Sequence, residues 1–315
     1  MTHAQVRGAF PFILAAVGAI LCAGPVAANT LLVGPNQQFK LPSEAMKAAK
    51  DGDTIEIEPV KDGYFDCAVV PQNNLVIEGK GDGVVLTDKT CKGKAILVID
   101  GKNVTVRNLT LQRARVPDHN GAGIRAEGGD LHIDRVRFLN NENGILAAPA
   151  PDATITVLNS EFIGNGKCEG SCAHGIYVNE LKLLHIEHSV FRDTHRGHHI
   201  KSVATRTELI GNTIEDGPTG TASYLVDIPL GGSLIMRDNI MEKGPKAENH
   251  TAAVRIGEDG IQVRTKEITI TGNTFTNDMS YPTIFIDNVT ATEAQLANNT
   301  LKGKIRALEG DGSVR

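Results

Sequence analysis

Six of the ten histidines lie between His174 and His199. Around them run Ala173-His174-Gly175-Ile176-Tyr177-Val178 and Gly197-His198-His199-Ile200-Lys201-Ser202. Two later segments alternate in the same way, Ser223-Tyr224-Leu225-Val226-Asp227-Ile228 and Val254-Arg255-Ile256. If Ile176, Ile200, Val226 and Val254 point inward from successive strands, their next neighbours point outward. Tyr177, Lys201, Asp227 and Arg255 then form a column, about 4.8 Å per strand, with His199 beside Lys201. A one-residue slip would bury Asp227 instead. The residue types suit β-elimination on a uronate polymer, which needs a cation for the substrate carboxylate, a base and an acid. Arg255 or Arg206 could be the cation, Lys201 or His199 the base, and Tyr177 the acid. His174, His198 and Arg206 are placed as substrate-binding support.

Other chemistries fit less well. Inverting hydrolysis needs paired carboxylates, and Asp227 has no evident partner. His195, His198 and His199 could approach a transition metal, but alternate strand residues diverge and no carboxylate stands at a firm ligand spacing. Calcium would call for a dense Asp cluster, which the chain lacks. No cofactor is therefore expected, and calcium on scattered aspartates is left open without being indicated. The plain alternative to catalysis is a solvated strand face of mixed charge, which would suit a non-catalytic module binding glycan or protein.

The elements that must position these residues come from a repeat. Large apolar residues recur at Leu111, Phe138, Phe162, Phe191, Ile214, Met241, Phe275 and Leu301, each in a short polar context such as Gly211-Asn212-Thr213-Ile214. The spacing is roughly 27 residues, within the solenoid range. Alternating strands precede most copies, as in Val104-Thr105-Val106 and Leu184-His185-Ile186. A Gly-rich turn and a further short strand follow, as in Gly144-Ile145-Leu146. Three short strands per repeat predict one rung of a parallel β-helix, whose rungs share a single core. Asn at equivalent turn positions can bond from rung to rung and tolerates left-handed backbone angles. Pro42-Ser43-Glu44 opens a short helix that would cap the open end.

The pattern resembles the right-handed parallel β-helix superfamily, often called pectin-lyase-like, over about residues 30–305. That resemblance implies an all-β, single-domain solenoid. Its members include pectate and alginate lyases, polygalacturonases, alginate epimerases and periplasmic binding proteins. Residues His174 to Val178, His199 with Lys201 and Ser202, and Thr221 to Gly232 are similar to motifs of exported bacterial β-helix repeat proteins of unassigned reaction. The well-known catalytic signatures are not intact. Gly197-His198-His199 matches only part of the polygalacturonase Gly-His-Gly. Pro117-Asp118-His119-Asn120 is loosely similar to the epimerase Asp-Pro-His-Asp. The Trp-x-Asp-His segment of pectate lyases has no counterpart, for the chain has no tryptophan.

Residues 1–28 read as a secretory leader: Arg7, the apolar stretch Phe10 to Ala23, and the small-residue site Val26-Ala27-Ala28. The remaining boundaries are a cap over 29–53, the β-helix over 54–305 and a polar tail over 306–315. Removal of the leader takes Cys22 with it and leaves Cys67, Cys91, Cys168 and Cys172. Four cysteines in an exported chain suggest two disulfides, with three possible pairings. Cys67–Cys91 and Cys168–Cys172 are favoured, because the first spans about one repeat and the second closes a small loop. A metal site of Cys168, Cys172 and His174 competes with the second pair. A formal charge of −5 gives no electrostatic reason to bind nucleic acid. An acidic polymer would therefore need a local basic patch. Taken together, the reading is a periplasmic or secreted protein acting on an acidic, uronate-containing polysaccharide, with no membrane span once the leader is removed. Lyase-type elimination is the first expectation and glycoside hydrolysis the second.

Overall fold

The computed structural model describes residues 1–4 and 28–315. Residues 5–27 of the expected leader over 1–28 lie outside the described residues. The chain winds as a parallel β-solenoid of about 10 turns, a single domain. Three parallel sheets of 12, 9 and 10 strands form its walls. A typical turn passes from the first sheet (Leu181–Glu187) to the second (Val190–Arg192) and then the third (Ile200–Ser202).

The recurring apolar residue is a single inward stack on the second sheet. Leu111, Phe138, Phe162, Phe191, Ile214, Met241, Phe275 and Leu301 are successive register partners. The rings of Phe138, Phe162 and Phe191 stack at 4.5 Å between centroids. On the first sheet the alternation Val104/Val106, Leu131/Ile133 and Leu184/Ile186 faces the same core. No rung could bury these side chains alone; the rungs above and below do so.

The bend between the first and second sheets is held by a polar ladder. Ser160 Oγ, Ser189 Oγ and Asn212 Oδ1 accept the backbone N–H of Val136, Ser160 and Ser189 respectively. Asn239, Asn273 and Asn299 continue the series through their Oδ1 atoms. The residue before each of these, such as Asn159, His188, Gly211, Asp238 and Gly272, has positive φ. That left-handed residue turns the chain, and the ladder side chain then satisfies the N–H that the turn removes from the sheet.

The helix Pro42–Ala48 covers the first turn, with Ala45 and Met46 fully buried against it. Asp66 Oδ2 accepts the Ser43 N–H at 2.8 Å and fastens the helix start. The C-terminal end differs from expectation. Residues 306–315 are not a loose tail: Ile305–Gly310 pairs with Thr283–Asn288, and Gly312–Val314 with Ala294–Ala297. Among the described residues no helix is long and apolar enough to cross a membrane. Cys67 is bonded to Cys91 and Cys168 to Cys172, which removes both cysteines of the competing metal set and fits an oxidising compartment.

Candidate functional site

The third sheet places Tyr177, Lys201, Asp227 and Arg255 in direct register on consecutive rungs. Their inward neighbours Ile176, Ile200, Val226 and Val254 are all fully buried. This inward set is what fixes the outward one, since a slip would put four aliphatic side chains into water.

Lys201 of the column and the neighbouring His198 meet at the Asp227 carboxylate. Asp227 Oδ2 lies 3.2 Å from Lys201 Nζ and 3.4 Å from His198 Nε2. The Lys201 ammonium stands 5.7 Å from the centre of the Tyr177 ring. Asp227 is 3% exposed, and burial pushes its carboxyl up to about 6 although Lys201 pulls it down. Its Oδ1 has no hydrogen-bond partner among the described residues. On the next rung Arg255 Nε is likewise a buried donor without a hydrogen bond among the described residues, 3.7 Å from Glu258 Oε2, while its Nη1 bonds Asp287 Oδ2. Two unpartnered polar atoms, an acceptor and a donor, thus stand on adjacent rungs.

A second column runs alongside. His174, His198 and Tyr224 each stand two residues before successive strands of the third sheet, and their rings stack at 4.9 and 5.2 Å. The stack is also a hydrogen-bond ladder. Asn143 Oδ1 accepts the His174 N–H, His174 Nδ1 accepts the His198 N–H, and His198 Nδ1 accepts the Tyr224 N–H. With Nδ1 an acceptor, each neutral imidazole carries its proton on Nε2. Burial drives the His174 pKa down to about 3 and that of His198 well below its ordinary value. His198 is therefore held neutral, with its Nε2 facing Asp227 Oδ2. The Tyr224 hydroxyl donates to Glu258 at 2.8 Å, and its pKa rises to about 12 through burial and that bond.

No protein-family model matches the chain, and no curated protein sequence matches it. Among solved structures it is similar to an alginate lyase from Paenibacillus sp. str. FPU-7, at 16% identity and a TM-score of 0.56, over 90% of this chain and 99% of that one. It is also similar to pectate lyase Pel9A, at 11% identity and a TM-score of 0.54, over 92% and 80% of the two chains. The fold is a right-handed parallel β-helix. At these identities the likeness carries the fold alone.

Two expected members of the site stand elsewhere in this β-helix. His199 is fully buried on the interior side of the bend between the second and third sheets. Its Nδ1 meets Thr194 Oγ1 at 2.8 Å and its Nε2 meets Asp216 Oδ1 at 3.0 Å. Strand alternation fails there because His199 precedes the strand Ile200–Ser202 and sits in the bend. Arg206 belongs to the first sheet, round a corner from the column, and its guanidinium is taken by Glu208 and Glu267. Neither reaches Lys201.

Three participants were not singled out in the sequence. Asp287 is the register partner of Arg255 one rung on, so extending the alternation to Ile286 would have found it. Glu258 and Tyr224 carried no comparable signal, because they meet only through the loop that follows Ile256.

Proposed function

We propose that this β-helix protein acts on a uronate-containing polysaccharide by β-elimination at the column of the third sheet. The observation that carries the reading is the convergence of Lys201 Nζ and His198 Nε2 on the buried Asp227 carboxylate, beside the phenol-bearing ring of Tyr177. Asp227, faced by the neutral His198, fixes where the Lys201 amine stands. Lys201 takes the proton from the carbon next to the substrate carboxylate. Tyr177 gives its phenolic proton to the departing glycosidic oxygen. Arg255 supplies its Nε–H, which makes no hydrogen bond among the described residues, to a carboxylate oxygen, and Asp227 Oδ1 accepts a sugar hydroxyl; together they complement a hydroxy acid. His199 and Arg206 take no part. The two structural neighbours, named as an alginate lyase and a pectate lyase, support the substrate class by analogy.

A second reading, a non-catalytic glycan-binding module, is favoured by one feature: Lys201 and Arg255 already pair with Asp227 and Asp287. Absorbance at 235 nm, where the unsaturated product absorbs, separates the two on alginate and polygalacturonate. Elimination by the wild type, a loss of about 10²–10⁴-fold in Lys201→Ala and full activity in Arg206→Ala are expected. Tight uronate binding without product would leave the binding module.

A further inference from the structure

Beyond the column, the turns leading from the third sheet back to the first form a groove. The turns after Val178, Ser202 and Ile228 take two to four residues, but the one after Ile256 runs through residues 257–267. This long loop is tied down rather than free. Asp259 N–H donates to Pro229 O at 2.9 Å, Val263 N–H to Leu230 O at 2.9 Å, and Gly232 N–H to Thr265 Oγ1 at 3.1 Å. Between the loop and the neighbouring turns lies a cavity of about 600 Å³. Buried Leu181 and Val203 line it, together with half-buried Leu230 and Val263 and the exposed cations Arg264 and Lys266. Glu180 is the one carboxylate in this lining, so the groove is net positive in a chain of net charge −5.

The groove is continuous with the column. Val203 stands two residues beyond Lys201, and Leu230 three beyond Asp227. The same loop supplies Glu258, which holds Tyr224 and faces Arg255. The state of the cations differs between the two places. On the column face Lys201, Arg255, Lys94 and Arg125 each pair with a carboxylate. Arg264 and Lys266 are in no ion pair among the described residues, and the neighbouring Glu267 is committed to Arg206. Free cations above an apolar floor fit a chain that alternates carboxylates with the C–H faces of sugar rings.

From this we infer that the groove walled by residues 257–266 is the docking subsite for the acidic polymer leaving the column, with Arg264 and Lys266 reading its carboxylates. The inference rests on the uronate reading above and assigns that reading its polymer-holding residues. Docking here also answers the negative overall charge, since the polymer meets a local basic rim first.

The test is calorimetric titration of full-length Lys201→Ala protein, which cannot turn the ligand over, with alginate and polygalacturonate oligomers. The same protein carrying Arg264→Ala and Lys266→Ala is titrated in parallel. The double change is expected to weaken uronate binding about tenfold and to flatten its salt dependence, and a neutral glucan oligomer is expected not to bind. A charge-keeping pair, Arg264→Lys with Lys266→Arg, should restore affinity to within about twofold. Equal affinity with and without the two cations overturns the groove while leaving elimination at the column intact. No binding of either uronate oligomer overturns it as well. Uronate binding that depends on the two cations, with no 235 nm product from the wild type, upholds the groove and ends the lyase reading.

Discussion

Asp227 is the most perturbed carboxylate on the column, and its energetics run opposite to those of an ordinary salt-bridged aspartate. Burial raises its folded pKa to about 6 from 3.8. Between those values the folded protein binds more protons than the unfolded chain does. Its contribution is therefore complete below pH 3.8 and is lost as pH rises through about 6, on the order of 3 kcal/mol in all. Asp227→Asn removes that term. Denaturant melts of both proteins from pH 4 to 7 should show the variant gaining on the wild type across the window. A difference that does not change with pH would contradict the assignment. Such a cost is tolerated at a site that needs a carboxylate in contact with Lys201, which is the usual relation between perturbed groups and function.

At the level of the element, the His174–His198–Tyr224 stack is a ladder made of titratable rings. For His174 the folded pKa is depressed to about 3 from 6.5. Its contribution is thus present above pH 6.5 and is lost as pH falls through about 3, on the order of 5 kcal/mol. Asn143 makes the same bond with an amide oxygen one rung earlier. His174→Asn should therefore keep the ladder, lower stability modestly at pH 7, and flatten the fall of the melting temperature between pH 6.5 and 3. An equally steep acid transition in the variant would show that other groups dominate. The Ser/Asn ladder is a purely structural counterpart. Asn239 accepts the Asn212 N–H and donates to Leu209 O and Asn273 Oδ1, all out of water. Asn239→Ala leaves those partners unsatisfied and should cost about 3 kcal/mol, read from the shift in the urea midpoint.

For the whole molecule, stability is spread along stacked turns, and the ends are where it is most easily lost. The N-terminal end has a helix and the Cys67–Cys91 bond, which closes a separation of 24 residues. Loop-closure entropy of that size amounts to about 3 kcal/mol. Cys67→Ser should lower the urea midpoint accordingly, whereas Cys168→Ser, which opens a separation of only 4 residues, should change it far less. The reverse order would place the weak point in the middle of the solenoid. A second consequence of the architecture is that the column and the groove lie on neighbouring faces of the same turns, so a long polymer can touch both without any domain movement.

The sequence by itself determined the rungs. The period at Phe138, Phe162 and Phe191, the strand alternation, the capping helix and the outward set Tyr177, Lys201, Asp227 and Arg255 all follow from buried apolar faces, which are local and periodic. Tertiary structure alone decided where His199, Arg206 and Glu258 came to lie. His199 shares the parity of Lys201 and yet lies inside, because the chain turns between them and parity holds only within a strand. Arg206 is five residues from Lys201 and on another sheet, because one corner of the solenoid separates them. Glu258 joins Tyr224 and Arg255 because a long loop folds back over two turns, and no local pattern encodes where such a loop will land.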